Sequence, residues 1–323
     1  MYDNVKLEKG LYNLSNKSFV EALEEQDHSE DYVGTPLENL DAYERQLKRF
    51  DIKVSGPHCD KVEKFFTTTE TAVLFPEYLK RYIVAGIEDS KLGDIIAVKT
   101  FVNSTIYRGV YMSDTSNYSD VSVGSVMPDC NIYESNDPVY LVKTAKTISC
   151  PYEVVRQQNL DIFGIHVRAI GKNIGNALYS KAISTISSSA KSINSATTTL
   201  AYSDIVNLFS QFSKFNMNTL IVSPTNFNNI LNMSQVSDRF TINDDKEVIL
   251  PFGTKLISTS NVDDKTIIAI DREYSLEYIT STDIFIEPDK IVNRQLDRLA
   301  ISINYAFKPI LSDAMKKLTI ITQ

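Results

Sequence analysis

Three histidines, three cysteines and two paired aspartates are the residues whose types could do chemistry in this chain. His28 lies in an acidic stretch, His58 in a turn, and His166 among apolar neighbours of a predicted helix. A metal centre or a nucleophile–base–acid set needs such groups to converge, and nothing in this spacing gathers them. Cys59, Cys130 and Cys150 form no CxxC pair and are odd in number. They predict three thiols made in a reducing cytoplasm, neither a zinc site nor a disulfide framework. GIHVRAIGKN (164–173) superficially resembles a phosphate loop. Six residues separate its glycines where four are required, no Ser or Thr follows the lysine, and the stretch falls inside a helical pattern. Asp263 and Asp264 in NVDDK, and Asp244 and Asp245 in TINDDKE, have hairpin-turn composition. Asn103 and Asn117 open glycosylation sequons, which carry no meaning without secretion. There is no GxSxG and no GxGxxG. The expectation is a chain that is not an enzyme, with no catalytic, cofactor-binding or metal-binding residue and no cofactor.

The totals bound the alternatives. The chain has 323 residues, 43% hydrophobic and 23% charged, which suits a core-forming protein. Its formal net charge of −8 argues against affinity built on neutralising nucleic-acid phosphates. The first 50 residues hold 11 acidic and 6 basic side chains, so most of the net charge sits there. MYDNVKLEKG contains no apolar signal segment, and the longest apolar runs are about five residues against the ~20 needed to span a bilayer. A soluble intracellular product is expected.

The elements that would position function are more informative. Residues 1–34, acidic with few anchors, read as an extended arm. TPLE predicts a helix that starts at Thr35 and stops before SGPH, at Gly56 and Pro57, with a capping box at Thr35 and Glu38, and with Asp41–Arg45 and Glu44–Lys48 pairs on its polar side. FFTTTETAVLFPEYLKRYI (65–83) predicts an extended threonine ribbon, then a helix starting at Pro76. Strand is predicted from Ile95 to about Val110 and again over 139–149. The polar stretch 111–138 between them has no core of its own. If 100–138 is a two-stranded ribbon, each arm is ~19 residues, or ~60 Å extended. An isolated ribbon is marginally stable at best, so it should lie on a neighbouring subunit. Leu160, Phe163, Val167, Ile170, Ile174 and Ala177 predict one long helix over 153–186, with Gly164, Gly171 and Gly175 permitting close packing. STISSSAKSINSATTT (184–199) reads as a fraying end and connector. Residues 200–280 alternate helix and strand, and RLAISINYAFKPI predicts a half-buried strand by strict alternation, followed by a last strand in KKLTIIT.

In this order the elements resemble the major capsid proteins of tailed bacteriophages, with the Hong Kong ninety-seven capsid fold. FFTTTETAVLFPEYLKRYI is similar to the segment that leaves the N-terminal arm of such proteins. The 100–138 ribbon falls where the family has its extended loop, and 153–186 matches its spine helix. LIVSPTNFNNIL resembles the strand-then-helix of the axial domain, and LPFGTKLISTSNV with TIIAIDREYSLEYI resembles its later hairpin. LEKGLYNLSNKSFVEALEEQD and TPLENLDAYERQLKRFDIKVSG look like N-termini in the subgroup from phages of Gram-positive hosts.

The resemblance implies an α+β capsid fold divided as follows: 1–64, N-terminal arm and helix; 65–99, connector and first helix; 100–138, extended loop; 139–199, peripheral domain with spine helix; 200–280, axial domain; 281–323, the peripheral domain's C-terminal strands. It implies self-assembly into pentamers and hexamers of an icosahedral shell, made in the host cytoplasm and retained in the virion. The shell would enclose double-stranded DNA without sequence-specific binding, away from any membrane. Scaffolding, portal and decoration proteins are the further partners implied. An encapsulin-like nanocompartment shell is the alternative reading, and an unrecognised enzyme a third. The acidic N-terminal segment is expected to stay in the mature shell, packed on a neighbour. Some relatives weld subunits through a loop lysine and an asparagine. Here no lysine lies between Lys99 and Lys143, and Arg108 stays protonated. Asn293 and Asn304 therefore have no loop partner, and a non-covalent shell is expected.

Overall fold

The acidic first 50 residues carry enough apolar anchors to fold, and they do. The computed structural model describes residues 5–13, 17–113, 120–127, 129–151, 156–244, 247–281 and 284–321. In it Val5, Leu7, Leu11, Phe19, Leu23 and Tyr32 are buried, so the expected extended arm is instead a set of short helical turns. The described residues divide into two compact units: residues 1–90, 145–175 and 284–302 in the first, and 91–144, 176–283 and 303–323 in the second.

In the first unit, α1 (Phe19–Glu24) starts at a reciprocal Ser18–Glu21 capping box. The next helix, α2 (Ala42–Arg49), starts at Asp41 with Glu44, not at Thr35 as expected. Thr35 and Glu38 do make cap-like bonds, to Leu37 N and Gly34 N, but these close a local turn. Arg45 explains the later start. Its side chain is fully buried and donates to Asp27 Oδ2 (2.7 Å), to the Asp27 carbonyl (2.6 Å), to Ser29 Oγ and to the Leu40 carbonyl. A buried guanidinium must satisfy its donors, and claiming the Leu40 carbonyl takes that group out of a helix. The solvent-side Asp41–Arg45 pair is thus replaced by a buried Arg45–Asp27 pair.

The threonine stretch is corrected too. Thr68 caps α3 (Thr69–Glu88), accepting from Thr71 N while its own N–H bonds Thr71 Oγ1. Capping satisfies an orphan helix N–H, and here it outweighs the β-preference of threonine. Pro76 lies inside the helix, not at its start. It cannot donate to Ala72, a cost offset by burial of Val73, Leu74, Tyr78, Leu79 and Ile83. The long helix α4 runs Leu160–Ser189, starting about two turns and ending about one turn later than expected; residues 153–155 lie outside the described residues. Its buried stripe passes from Leu160 and Val167 to Ile174, Leu178, Ala182 and Ile186, which leaves Ala177 exposed.

Along the chain the strands are β1 (Val98–Phe101), β2 (Ile106–Tyr107), β3 (Val110–Ser113), β4 (Asn131–Glu134), β5 (Val139–Tyr140), β6 (Val142–Pro151), β7 (Lys191–Asn194), β8 (Thr219–Val222), β9 (Thr241–Ile242), β10 (Val248–Ile249), β11 (Lys255–Ser258), β12 (Thr266–Ile270), β13 (Leu276–Thr280), β14 (Phe285–Ile291), β15 (Leu296–Pro309) and β16 (Met315–Thr319). In the first unit β14 pairs antiparallel with the start of β15, from Phe285↔Ser302 to Ile291↔Leu296.

The second unit holds a seven-stranded mixed sheet ordered β7-β16-β12-β8-β11-β10-β9. Central β8 is buried at every residue. Ile205 and Leu208 of α5 (Tyr202–Ser210) and Ile230 of α6 (Pro224–Leu231) share one core with Leu220, Val222, Leu256, Ile267, Ala269 and Leu318. Two expectations shift here. Strand β12 ends at Ile270 because Asp271 accepts from Glu273 N and caps a one-turn helix, α7 (Arg272–Ser275). The expected connector after α4 contains β7, an edge strand parallel to β16 whose lack of apolar alternation hid it. A second sheet of this unit pairs β13 antiparallel with the end of β15 and parallel with β1.

Within the first unit, α3 and α4 approach backbone to backbone. A Cβ on Gly86 would come 2.0 Å from the Arg168 carbonyl oxygen, and one on Gly171 2.3 Å from that of Ile83. Neither neighbour is a side chain that can swing away. Gly171→Ala is expected to destabilise this unit by about 1–3 kcal/mol, the usual cost of overpacking, read as a lower urea midpoint. Gly10→Ala, with nothing within 4 Å, should stay within about 0.5 kcal/mol of the parent.

Candidate assembly surface

The catalytic candidates stay dispersed. His28, His58 and His166 are exposed on separate elements, and Asp244, Asp263 and Asp264 are exposed in turns; Asp245 and Asn117 lie outside the described residues. Cys59 and Cys130 are free thiols. Among the described residues no group of His, Cys, Asp and Glu could hold a metal ion, and no helix is long and apolar enough to cross a membrane. A cleft of about 420 Å³ in the second unit is lined by Asp94, Asn218, Lys255 and Arg272, but Lys255 is committed to Asp94 and Glu247.

What the second unit does present is an apolar ribbon. The chain leaves β1, pairs β2 with β5 (Ile106↔Tyr140, Tyr107↔Val139) and then β3 with β4 (Val110↔Glu134 to Ser113↔Asn131). The register slips by two residues between the two ladders, where Ser135 N bonds the Gly109 carbonyl at 2.7 Å. Successive side chains of a strand point to opposite faces. Tyr111 and Tyr133 therefore meet on one face, with ring centroids 5.6 Å apart, while Val110, Met112 and Ile132 take the other. Both faces are open: Val110 and Ile132 are each 69% exposed, Met112 54% and Tyr133 47%. Beyond them Val123, Val126 and Met127 are almost wholly in water. Scattered exposed apolar residues are ordinary, but a contiguous run on both faces of a hairpin marks an interaction surface. The ribbon also has sign. Between Arg108 and Lys143 the sequence holds Asp114, Asp120, Asp129, Glu134 and Asp137 and no basic residue.

A polar knot fixes the root of the ribbon. Glu277 of β13 is almost fully buried, and its Oε1 accepts from Thr100 Oγ1 at 2.6 Å and from Tyr107 Oη at 2.7 Å. Burial, then the neighbouring carboxylate, pushes the Tyr107 hydroxyl up to about 12. It therefore remains a donor at any ordinary pH, and the root is tied to the sheet while the ribbon beyond it makes its own pairs. No local pattern signals this knot, because Glu277 lies at least 170 residues from Thr100 and Tyr107. A two-stranded ribbon here was expected from the sequence, but its apolar faces were not, since 111–138 reads as a polar stretch.

Comparison with known proteins follows the same lines. A family model described as phage capsid protein matches residues 136–318. No curated protein matches the chain. Among solved structures, a virus-like particle from Pyrococcus furiosus is similar at 14% identity, with a TM-score of 0.52 over 75% of this chain and 98% of that one. Microbacterium phage Oxtober96 is similar at 12% identity, with a TM-score of 0.52 over 71% and 90%. The holo-SrpI encapsulin complex from Synechococcus elongatus PCC 7942 is similar at 11% identity, with a TM-score of 0.55 over 70% and 85%. At these identities the likeness shows a shared fold.

Because the described residues of the ribbon tip, 120–127, are all exposed, deleting residues 112–136 should leave a folded subunit whose denaturation midpoint is unchanged. Assembly into particles should be lost. Normal particles from the deletion variant in electron micrographs would remove the ribbon from the assembly surface. The milder Met112→Asp with Ile132→Asp pair should act in the same direction.

Proposed function

The chain belongs to the phage capsid protein family, and from that membership we infer that it is the major capsid protein of a tailed phage. Its role is structural and its place is the capsid of the virion. Copies of the chain associate with one another, and the ribbon is the observation that carries the details of how. A subunit with two open apolar faces on a rooted hairpin is complete only when another surface covers them. Burying one Val, Ile or Met side chain contributes about 1.5–3 kcal/mol before ordering costs, so several per subunit suffice to drive assembly across many identical contacts.

On this reading residues 100–138 form the extended loop, 139–199 and 281–323 the peripheral domain with α4 as its spine, and 200–280 the axial domain. Residues 1–64 are the N-terminal segment and 65–99 the connector. The products are pentamers and hexamers closing an icosahedral shell around double-stranded DNA. The net charge of −8 supports a lining that does not trap the polyanion. Scaffolding, portal and decoration proteins are the other partners of such a shell. The encapsulin likeness keeps a second reading, a compartment that holds cargo protein.

Negative-stain images of purified protein should show shells, tubes or capsomer rings; a monodisperse monomer at high concentration would sink both readings. Packaged nucleic acid in native particles separates the first from the second. The absence of a lysine between Lys99 and Lys143 supports a shell without loop crosslinks. Boiled in detergent with reductant, mature particles should run as one band near 36.4 kDa. A ladder of covalent pentamers and hexamers would refute this, and the reductant is needed because Cys130 lies exposed on the ribbon.

A further inference from the structure

The first unit contains one carboxylate that the assembly surface does not use. Glu77 of α3 lies beneath the N-terminal segment, with its side chain only 5% exposed. Three carboxylates meet around one guanidinium there. Arg81 binds Asp41 of the α2 cap, stands 3.6 Å from Glu44 of α2, and stands 3.5 Å from Glu77 Oε1. Its guanidinium lies 4.4 Å above the ring of Tyr43, also of α2. The other Glu77 oxygen, Oε2, is buried without a hydrogen-bond partner, as is the Tyr43 hydroxyl. From the first helical turn of the chain, Tyr12 donates to the Val73 carbonyl of α3 at 2.8 Å and faces Glu77. Lys80 is the second cation near the site. The groups facing Glu77 are therefore Tyr12, Tyr43, Asp41 and Glu44 from the N-terminal segment, and Lys80 and Arg81 from its own helix.

We propose that Glu77 is a proton-operated clasp: neutral, it lets residues 5–50 dock tightly on α3; ionised, it loosens that docking. The geometry sets the direction. An ionised Glu77 adds a third negative charge around Arg81 and leaves a charged oxygen buried with no donor, which is costly. A neutral Glu77 leaves Arg81 to Asp41 and Glu44, the two carboxylates that α2 supplies. Burial accordingly raises the Glu77 carboxyl above its ordinary range, against the pull of Lys80 and Arg81. The folded chain thus holds this proton to higher pH than the unfolded chain. Docking is strongest below the ordinary carboxylate range and weakens as pH rises through the folded-state value. The N-terminal segment is the part of the unit that this would release, since the glycine-mediated contact between α3 and α4 involves none of these groups.

Hydrogen exchange of the full-length chain, read by mass spectrometry and corrected for the intrinsic pH dependence of exchange, tests the clasp. Peptides covering 17–50 should exchange about tenfold faster at pH 8 than at pH 4.5, the factor that corresponds to about 1.4 kcal/mol. Peptides covering 219–270, in the other unit, should show no such step. Glu77→Gln, which mimics the neutral form, should be slow at both pH values. Glu44→Gln keeps the α2 capping geometry, removes one competing carboxylate and should shrink the step, and it serves if the first variant does not fold. Equal corrected rates in the parent, an equal step in the 219–270 peptides, or an undiminished step in the variants would each overturn the proposal.

Discussion

A two-stranded ribbon has two faces and no packed layer of its own to hide either. That constraint governs this molecule. Tyr111 and Tyr133 on one side, and Val110, Met112 and Ile132 on the other, cannot be covered by the hairpin that carries them. The seven-stranded sheet solves the same problem internally, with α5 and α6 covering one face of β8, β11 and β12. The ribbon has no such cover within its own ladder, and under the proposed function another copy of the chain supplies it.

An exposed ribbon is useful only if its root is stiff. The Glu277 knot supplies that stiffness: two hydroxyls, from Thr100 and Tyr107, converge on one buried carboxylate oxygen, and the Tyr107 hydroxyl is held in its donor form. In the first unit the glycines play a comparable part. Gly86 and Gly171 let α3 and α4 meet at backbone distance, where the contact is too close for any side chain to intervene.

The buried charges of the N-terminal segment work in two ways. Arg45 is satisfied on every side, by Asp27, Ser29 and two backbone carbonyls, and it specifies one arrangement of residues 24–45. Around Arg81 three carboxylates crowd one guanidinium, and Glu77 Oε2 and Arg81 Nε are both buried without a hydrogen-bond partner. A satisfied buried ion is a fixed point, while an unsatisfied one is sensitive to the proton.

The sequence by itself determined the pieces whose signal is local. Alternation at Leu299, Ile301, Ile303 and Tyr305 showed β15, Ser223 and Pro224 showed the start of α6, and the three- and four-residue spacing from Leu160 showed α4. The order of these pieces carried the resemblance to capsid proteins, and the scarcity of converging His, Cys and Asp argued for a structural role. Tertiary structure decided wherever two local signals competed. Thr35 was the expected cap, and a buried Arg45 that claims the Leu40 carbonyl moved the helix start to Asp41. Thr67–Thr69 could extend or cap, and the burial of α3 chose the cap. The knot at Glu277 and the crowding at Arg81 could not be read beforehand, because Glu277 lies at least 170 residues from its partners and Asp41 and Glu44 lie tens of residues from Glu77 and Arg81. Only folding sets the distances and the loss of water that give such groups their energies.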